Sequence, residues 1–306
     1  LSPPSWIQGT WKYTDATGYE THTFSSDNVV YESNYRSTKT TDYAQTYTSA
    51  TDSSTSPVYS ITVGTTKWEW TLQNNGTLLY KVYYSGTEST SLTKYLIPSD
   101  LVGIEGTVRI DDSFASSTIY IVAEDGSDNI LDQATATVVS GTESYDYNLY
   151  VDASVSSYSL YVVVDQDGTF GNADDVMFSH VDSPLASITG GDSAVDKNFP
   201  LAKLSGQITI TDSSNAGWTV LIGAWDTSSP SGDPINGDST ETASGTASYN
   251  WQFLVNVDDY SGGEAYVFGA LNDTSDTQHE TGTYGSNPVT LIAGGDQQSI
   301  ILTTSP

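Results

Sequence analysis

The feature that most constrains this fold is an internal repeat in the last two thirds of the sequence. Four segments recur in the same order at offsets of 101, 104, 105 and 104 residues. They are TIYIVAED at 118–125 and TVLIGAWD at 219–226, GTESYDYNLYV at 141–151 and GTASYNWQFLV at 245–255, YVVV at 161–164 and YVFG at 266–269, and SPLASITGGD at 183–192 and NPVTLIAGGD at 287–296. A repeat of this length is the size of one domain, so the sequence predicts two tandem copies of one fold.

Charge separates the repeats from the residues before them. Residues 1–98 contain 6 basic and 8 acidic residues, residues 99–200 contain 2 and 18, and residues 201–306 contain 1 and 12. This shift in composition near Pro98 indicates a domain boundary. Together with the repeat, it predicts three domains, at residues 1–98, 99–202 and 203–306.

Apolar residues alternate with polar ones through both copies, and Gly, Asn, Asp and Ser clusters interrupt them about every ten residues. This period is typical of half-buried strands, and the turn spacing is typical of sandwiches. We therefore expect an all-β chain with a small antiparallel barrel followed by two tandem seven-strand β-sandwiches. The aligned pairs that should be buried are Ile119/Val220, Ile121/Ile222, Leu149/Phe253 and Ile188/Ile292.

The strand motifs of the repeats resemble prealbumin-like sandwiches, the carboxypeptidase regulatory-like domains that occur in tandem in bacterial surface proteins. The motifs are GTVRI at 106–110 and GQITI at 206–210, TVLI at 219–222, YNLYV at 147–151, YVVVD at 161–165 and PVTLIAGGD at 288–296. The resemblance covers about two thirds of the chain. It implies the sandwich fold and a non-catalytic role as a surface module.

The first 98 residues offer eight short alternating segments, with a turn at 74–76 between two of them, and this predicts an up-and-down barrel. One of the eight segments is 46–49. Gly9-Thr10-Trp11 resembles the G-x-W of lipocalin-like barrels, which implies that Trp11 closes the barrel floor. We expect Trp11, Trp68 and Trp70 to belong to the core.

The same domain is rich in tyrosine, and exposed aromatic rings can stack on sugars or other ligands. The candidate ligand-binding residues are Tyr35, Tyr43, Tyr47, Tyr83 and Tyr84. Their exposure would distinguish a domain that binds carbohydrate or a small hydrophobic molecule from a plain spacer.

One loop has the composition of a cation site. Residues 165–175 read DQDGTFGNADD directly after a predicted strand, and calcium prefers six to eight hard oxygen ligands. The start resembles an EF-hand loop, but Val176 stands where the twelfth-position Glu would be. The sequence predicts a calcium-binding strand-to-strand loop, and the alternative is a solvated acidic turn. The candidate ligands are Asp165, Asp167, Thr169, Asn172, Asp174 and Asp175. The second copy has the sparser series 272–276 at the matching place.

Several function classes are disfavoured by composition. A formal charge of −29 repels phosphate, which argues against nucleic acid and anionic membranes as partners. The chain has no cysteine, no apolar run near the ~20 residues that span a bilayer, and no catalytic motif of the common hydrolase or nucleotide-binding types. The histidines, His22, His180 and His279, are scattered through the sequence. We therefore expect no enzyme.

The favoured hypothesis is a non-enzymatic secreted or surface-anchored bacterial protein with a binding, adhesive or structural role. Alternatives are a carbohydrate- or small-ligand-binding protein that uses the N-terminal barrel, and an accessory region of an extracellular hydrolase. Another surface protein is a further candidate partner. The start at Leu1 looks like a trimmed mature end, and a lipid anchor upstream is compatible with it.

Overall fold

The computed structural model describes residues 1–15, 17–35, 37–74, 76–168, 175–186, 189–211, 216–229, 233–243 and 245–304. Regular structure in these residues is almost entirely β-sheet, which confirms the predicted all-β class. The helical segments are α1 (Tyr43–Thr46) and the 3₁₀ turns Thr90–Leu92, Asp112–Phe114, Val257–Asp259 and Ser261–Gly263.

The N-terminal unit is a ten-stranded antiparallel sheet that curls into a half-barrel. Its strands are β1 (Gly9–Asp15), β2 (Gly18–Phe24), β3 (Val29–Ser33), β4 (Lys39–Asp42), β5 (Thr51–Thr55), β6 (Val58–Val63), β7 (Thr66–Leu72), β8 (Leu78–Tyr84), β9 (Thr87–Glu88) and β10 (Lys94–Pro98). The order is β4-β3-β2-β1-β10-β8-β7-β6-β5, and β9 pairs with β8. Within the described residues β4 and β5 are the two ends of this order, so the curled sheet is open on one side.

The strand predicted at 46–49 is wrong. α1 ends at Thr46, and the chain then turns, with the Ala50 N–H donating to the Tyr47 carbonyl, before β5 begins. The Asp42 side chain caps α1 by accepting a 2.8 Å hydrogen bond from the Gln45 backbone N–H. This cap satisfies a backbone donor that a single helical turn leaves without a partner. The short helix carries Tyr43 and the following Tyr47 onto the aromatic core.

Aromatic side chains fill the concave side of the half-barrel. Trp70 is fully buried and stacks with Tyr59 and Tyr80 at ring-centroid distances of 6.0 and 5.5 Å. Trp11 is 7% exposed, and its indole N–H donates to the Ile7 carbonyl at 2.9 Å. The expected burial of Trp11 and Trp70 is confirmed, whereas Trp68 is only partly buried against this core.

Within the described residues each repeat contains eight strands, one more than predicted. The first repeat has β11 (Leu101–Arg109), β12 (Thr118–Glu124), β13 (Ile130–Thr137), β14 (Ser144–Asp152), β15 (Ser157–Asp165), β16 (Val176–Ser179), β17 (Leu185–Ala186) and β18 (Ser193–Ala194). The second has β19 (Phe199–Thr209), β20 (Thr219–Trp225), β21 (Asn236–Glu241), β22 (Ser248–Asn256), β23 (Glu264–Asn272), β24 (Gln278–Thr283), β25 (Val289–Thr290) and β26 (Asp296–Thr303). Three of these strands, β17, β18 and β25, are only two residues long.

The two repeats have the same strand order. One sheet of each is β13-β12-β15-β16 in the first copy and β21-β20-β23-β24 in the second. The other sheet places β11 between β14 and β18, and β19 between β22 and β26. Each repeat has its own apolar core between its sheets. This equivalence is what the internal repeat predicts, while the domain boundaries themselves stay a prediction.

Most of the aligned core pairs are buried. Ile119, Val220, Ile121, Ile222, Leu149 and Phe253 are all at most 7% exposed. The expectation is wrong for Ile292, which is 57% exposed, because a turn closed by the Gly295 N–H and the Ile292 carbonyl rotates it outward. The preceding Leu291 occupies the core position instead. Ile188 lies outside the described residues.

The sheets also correct the alignment of one repeated segment. Val122 pairs with Tyr161 in the first copy, whereas Gly223 pairs with Phe268 in the second. Tyr161 therefore corresponds to Phe268 and not to Tyr266, a shift of two residues from the sequence match. Because side chains alternate with a period of two, this shift leaves every residue of the strand on its predicted face.

A glycine opens the matching segments at 106 and 206 because another backbone passes very close. A Cβ at Gly106 would lie 2.0 Å from the Lys197 carbonyl oxygen, and one at Gly206 would lie 1.9 Å from that of Ile300. Any side chain at either position would push the neighbouring chain away. The two copies therefore share a packing requirement as well as an apolar pattern.

Candidate functional site

The predicted cation loop joins β15 to β16. Asp165 ends β15, and Asp175 directly precedes β16. The two strands pair up to Val164 and Val176, so Asp165 and Asp175 stand one step beyond the last pair of the ladder. The hairpin thus brings two carboxylates together at the base of the loop. Of the other predicted ligands, Asp167 is exposed, and Thr169, Asn172 and Asp174 lie outside the described residues.

Asp165 is the unusual member of this group because it is fully buried. Its Oδ1 accepts hydrogen bonds from the backbone N–H groups of Asp167 and Gly168 at 3.1 and 2.7 Å. Its Oδ2 is also buried but accepts no hydrogen bond from the described residues. A buried carboxylate oxygen with no donor is costly, and a cation is one way to offset that cost. The described residues alone do not bring three acidic or histidine side chains together as a metal site.

The corresponding turn of the second repeat forms several hydrogen bonds within itself, although the buried Oδ1 of Asn272 accepts none from the described residues. Asn272 stands opposite Thr219, as Asp165 stands opposite Thr118, and donates to Asp276 at 2.9 Å. The Asp273 carboxylate accepts from two backbone N–H groups, and His279 Nε2 lies 2.9 Å from it. The hydrogen bond with His279 lowers the pKa of Asp273. The Asp273 carboxylate thus finds its partners within the turn, which fits the plain acidic alternative.

The five candidate tyrosines do not share one surface. Tyr43 is buried, with its ring edge-on to Trp68 at 5.2 Å, and Tyr47 packs on the same indole at 5.7 Å. The other three are Tyr35, whose ring lies 4.8 Å from Lys94 Nζ, Tyr83, whose hydroxyl donates to Glu69 at 3.2 Å, and Tyr84, which is 52% exposed. The structure places two of the five in or against the core. Ligand binding at these residues stays a prediction.

A polar cluster that the sequence did not reveal lies inside the half-barrel. Glu20 and His22 are adjacent inward positions of β2, and both are buried. Lys94 Nζ on β10 lies 2.8 Å from Glu20 Oε2, and His22 Nε2 lies 3.4 Å from Glu20 Oε1. Trp70 Nε1 donates to His22 Nδ1 at 3.3 Å, which puts the imidazole proton on Nε2, facing the carboxylate. The only sequence signal for this cluster was that Glu20 and His22 are two residues apart, which places both side chains on the same face of a strand.

Charge in this cluster is set by burial and by its partners. Burial lowers the pKa of His22, although the Glu20 carboxylate opposes this effect. Burial alone would raise the pKa of Glu20, but His22 and Lys94 outweigh it, and the net shift is downward. The cluster therefore holds a neutral imidazole beside a carboxylate–ammonium pair. With His22 fully buried, it fits a structural role better than proton transfer to a substrate.

We expect the N-terminal unit to lose stability on acidification from about pH 7.5 to about pH 5.5. The unfolded His22 takes up a proton near its ordinary pKa of 6.5, whereas the folded state resists that proton. The unfolded state is then favoured, with a slope of up to about 1.4 kcal/mol per pH unit for one proton. Urea titrations followed by tryptophan fluorescence at both pH values measure this change.

The matched variants for this titration are His22→Gln and His180→Gln. Burial also lowers the pKa of His180, but that residue belongs to the first repeat. Only His22→Gln should flatten the pH dependence of the N-terminal transition. An equal slope in wild type and His22→Gln would contradict the assignment.

Comparisons with known proteins add little to this geometry. No protein-family model and no curated protein matches the chain. Among solved structures it is similar to the tip fimbrial protein Mfa3 from Porphyromonas gingivalis, at 11% identity over 63% of this chain and 91% of that chain, with a TM-score of 0.26. It is also similar to a Streptococcal ancillary pilin, at 10% identity over 97% and 91% with a TM-score of 0.19, and to CBD12 from CALX1.2, at 10% over 61% and 82% with a TM-score of 0.15. Scores this low assign neither a family nor a function.

In the described part of the chain, none of the helical segments has the length and hydrophobicity needed to cross a bilayer. The lipocalin-like and prealbumin-like resemblances stay predictions.

Proposed function

We propose that this chain is a non-enzymatic module of the bacterial cell surface or envelope, in which two sandwiches support an N-terminal half-barrel. The observation that carries the proposal is a β-sheet that continues from the first repeat into the second. β11 of the first repeat pairs in parallel with the start of β19, at Val108↔Phe199 and Arg109↔Pro200. One sheet, in the order β14-β11-β19-β22, thus runs through both copies. A shared sheet resists bending and shear better than a flexible linker.

Side chains reinforce this joint. Lys203 of β19 is only 8% exposed, and its Nζ lies 3.0 Å from Asp296 Oδ2 and 2.9 Å from Ser113 Oγ. Ser113 belongs to the first repeat, so a charged pair of the second repeat is tied directly to it. Leu254 of the second repeat packs into the core of the first.

The N-terminal unit is fixed to the first repeat in a similar way. Lys12 Nζ lies 2.7 Å from Asp192 Oδ1, and the Thr14 hydroxyl donates to the same carboxylate at 2.6 Å. The Ser99 N–H donates to the Thr10 carbonyl at 2.8 Å. Only two residues separate β10 from β11. Short links and direct contacts between the three units are what a rigid support for the half-barrel needs. A set of independently moving domains would have longer links and fewer contacts.

The experiment is surface labelling of the producing bacterium. Antibodies against the purified chain should label intact cells, and external protease should remove the signal while a cytoplasmic control protein survives. Labelling that appears only after the cells are permeabilised would contradict a surface location.

A second proposal concerns the loop after β15: we propose that it binds calcium. The proposal is supported by the buried Asp165 Oδ2, which accepts no hydrogen bond from the described part of the chain, and by the position of Asp175 beside it. Asp167, Thr169, Asn172 and Asp174 supply further oxygen atoms in sequence. Calcium suits such a set because it accepts many oxygens in flexible geometry, whereas magnesium requires a strict octahedron.

Millimolar calcium should raise the melting temperature of the first repeat by several degrees over EDTA. A ligand that binds only the folded loop stabilises it by RT ln(1 + [L]/Kd), which is about 0.4–1.4 kcal/mol at 1 mM calcium for the Kd of about 10⁻³–10⁻⁴ M that extracellular modules have. Differential scanning calorimetry of the full chain measures the shift, and magnesium at the same concentration should give much less.

Two variants identify the site. Asp165→Asn keeps an oxygen for the backbone N–H groups but removes the charge, so it should abolish the calcium shift. Asp125→Asn alters another acidic turn of the same repeat, where the carboxylate accepts from the Ser127 and Asn129 N–H groups, and should leave the shift intact. If calcium does not change the melting temperature of the wild type, or changes it equally in both variants, the loop is a solvated acidic turn and the calcium proposal is wrong.

A further inference from the structure

A trough lies on the outer face of the sheet β21-β20-β23-β24 in the second repeat. Alternate residues of β20, such as Val220 and Ile222, point into the core, so Leu221, Gly223 and Trp225 face outward. The cavity has a volume of about 710 Å³, within the range of ligand pockets. We define the trough by the following outward-facing residues: Leu221, Gly223, Trp225, Gly237, Phe268 and Ala270.

The first repeat shows why the trough exists. Cross-strand neighbours form rows on this face, and each row has an equivalent in the first repeat. The first row in the second copy is Gly237, Gly223, Phe268 and Thr283. The equivalent row in the first copy is, in the same order, Gln133, Val122, Tyr161 and Ser179. The next row reads Ser239, Leu221, Ala270 and Thr281 against Thr135, Tyr120, Val163 and Met177. Seven of these eight positions carry a smaller side chain in the second copy. The same backbone therefore has a filled face in one repeat and a hollow face in the other.

The aromatic wall of the trough is also particular to the second repeat. In the first copy the Tyr161 hydroxyl donates to Glu124. In the second copy Phe268 and Trp225 replace this polar pair, with their rings edge-to-face at 5.6 Å. A Cβ at Gly223 would lie 2.6 Å from Pro234 and 2.7 Å from the Trp225 ring, so glycine makes room for both.

Polar groups surround this aromatic pair. The lining includes the Asp233 carboxylate and several hydroxyl and amide groups, on Ser239, Gln278, Thr281 and Thr283, whereas the Asp238 carboxylate points to the other face and accepts from the Gln252 N–H. Trp225 Nε1 is buried, and no group in the described residues accepts its hydrogen bond. An apolar patch with a ring of acceptors and donors fits a molecule that has C–H faces and hydroxyl edges.

We propose that the trough binds a neutral saccharide. Phe268 and Trp225 would contact the C–H groups of the sugar, and the Asp233 carboxylate and the threonine and serine hydroxyls would bind its hydroxyl groups. Anionic ligands are disfavoured because residues 201–306 contain 12 acidic residues and 1 basic residue. This site differs from the tyrosines of the N-terminal unit, and the inference does not depend on the proposed surface location.

Ligand-observed NMR on the full chain tests the proposal. The probes are glucose, galactose, mannose and N-acetylglucosamine, with their homodisaccharides, and glucuronate is the charged comparison. We expect at least one neutral sugar to give a saturable signal that glucuronate does not match. If none of the neutral sugars saturates, or if glucuronate binds more tightly, the proposal is wrong.

Exchanging residues between the repeats shows where the sugar binds. The double variant Ala270→Val/Thr281→Met fills the trough with the side chains of the first copy, at positions that are partly or fully exposed, and should weaken binding by about tenfold or more. Met177→Thr makes the reverse change on the filled face and should leave binding unchanged. Unaltered binding by the double variant, with an unaltered melting temperature as evidence of folding, would overturn the assignment. A fluorescent apolar dye is the last probe: if it binds the wild type but not the double variant, and no sugar binds, the trough takes an apolar ligand and the saccharide assignment is wrong.

Discussion

Replacing Trp70 with alanine is expected to destabilise the N-terminal unit by about 3–5 kcal/mol. The indole is fully buried, and it touches the rings of Tyr59, Tyr80, Phe24 and Tyr43. Its removal leaves a cavity that the two stacked rings cannot close, because β6 and β8, which pair with β7 on either side, hold Tyr59 and Tyr80 in place. Urea denaturation followed by circular dichroism measures the change in free energy of unfolding.

Two further variants separate packing from hydrogen bonding. Trp70→Phe retains most of the ring volume but removes the N–H that donates to His22, so it should cost clearly less than alanine. Tyr84→Ala removes a ring of the same sheet that is 52% exposed, and it should be nearly neutral. Equal effects at Trp70 and Tyr84 would show that the aromatic cluster is not the core of the unit.

The sequence predicted the repeats because their signal is strong and redundant. Four segments in register specify the same strand order, and alternation assigns faces even where the alignment slips by two residues, as at Tyr161 and Phe268. Ile292 shows the limit of that method. A single turn moves it out of the core while Leu291 takes its place, and no apolar pattern distinguishes the two.

The sites were harder to predict because they depend on contacts between distant strands. Glu20 and Lys94 meet only because β1 lies between β2 and β10 in the curled sheet. The trough depends on what is absent from a sheet face, namely the side chains that Gly223 and Gly237 lack. The loop at 165–175 could be predicted, since its candidate ligands are close together in sequence, but the burial of Asp165 could not.

Replacing Lys203 with methionine, at the contact between the two repeats, is expected to destabilise the chain by about 3–5 kcal/mol. Methionine keeps much of the side-chain volume but removes the ammonium group that faces Asp296, whose side chain is only 9% exposed. A nearly buried carboxylate then loses its cation, and the contact from Lys203 to Ser113 across the joint is lost as well. Denaturation of the full chain should show the second repeat unfolding earlier.

The double variant Lys203→Met/Asp296→Asn decides whether charge is the cause. Removing both charges together avoids the buried, uncompensated carboxylate, and the new asparagine side chain could still accept the Ser205 hydroxyl that now donates to Asp296 at 3.1 Å. The double variant should therefore recover most of the lost stability, since a buried pair contributes little relative to neutral groups of similar size. It should nevertheless unfold in two separate steps if Lys203 is what couples the repeats through Ser113. A double variant no more stable than Lys203→Met would attribute the effect to packing, and one cooperative transition in all three proteins would leave the shared sheet alone responsible for the rigid joint.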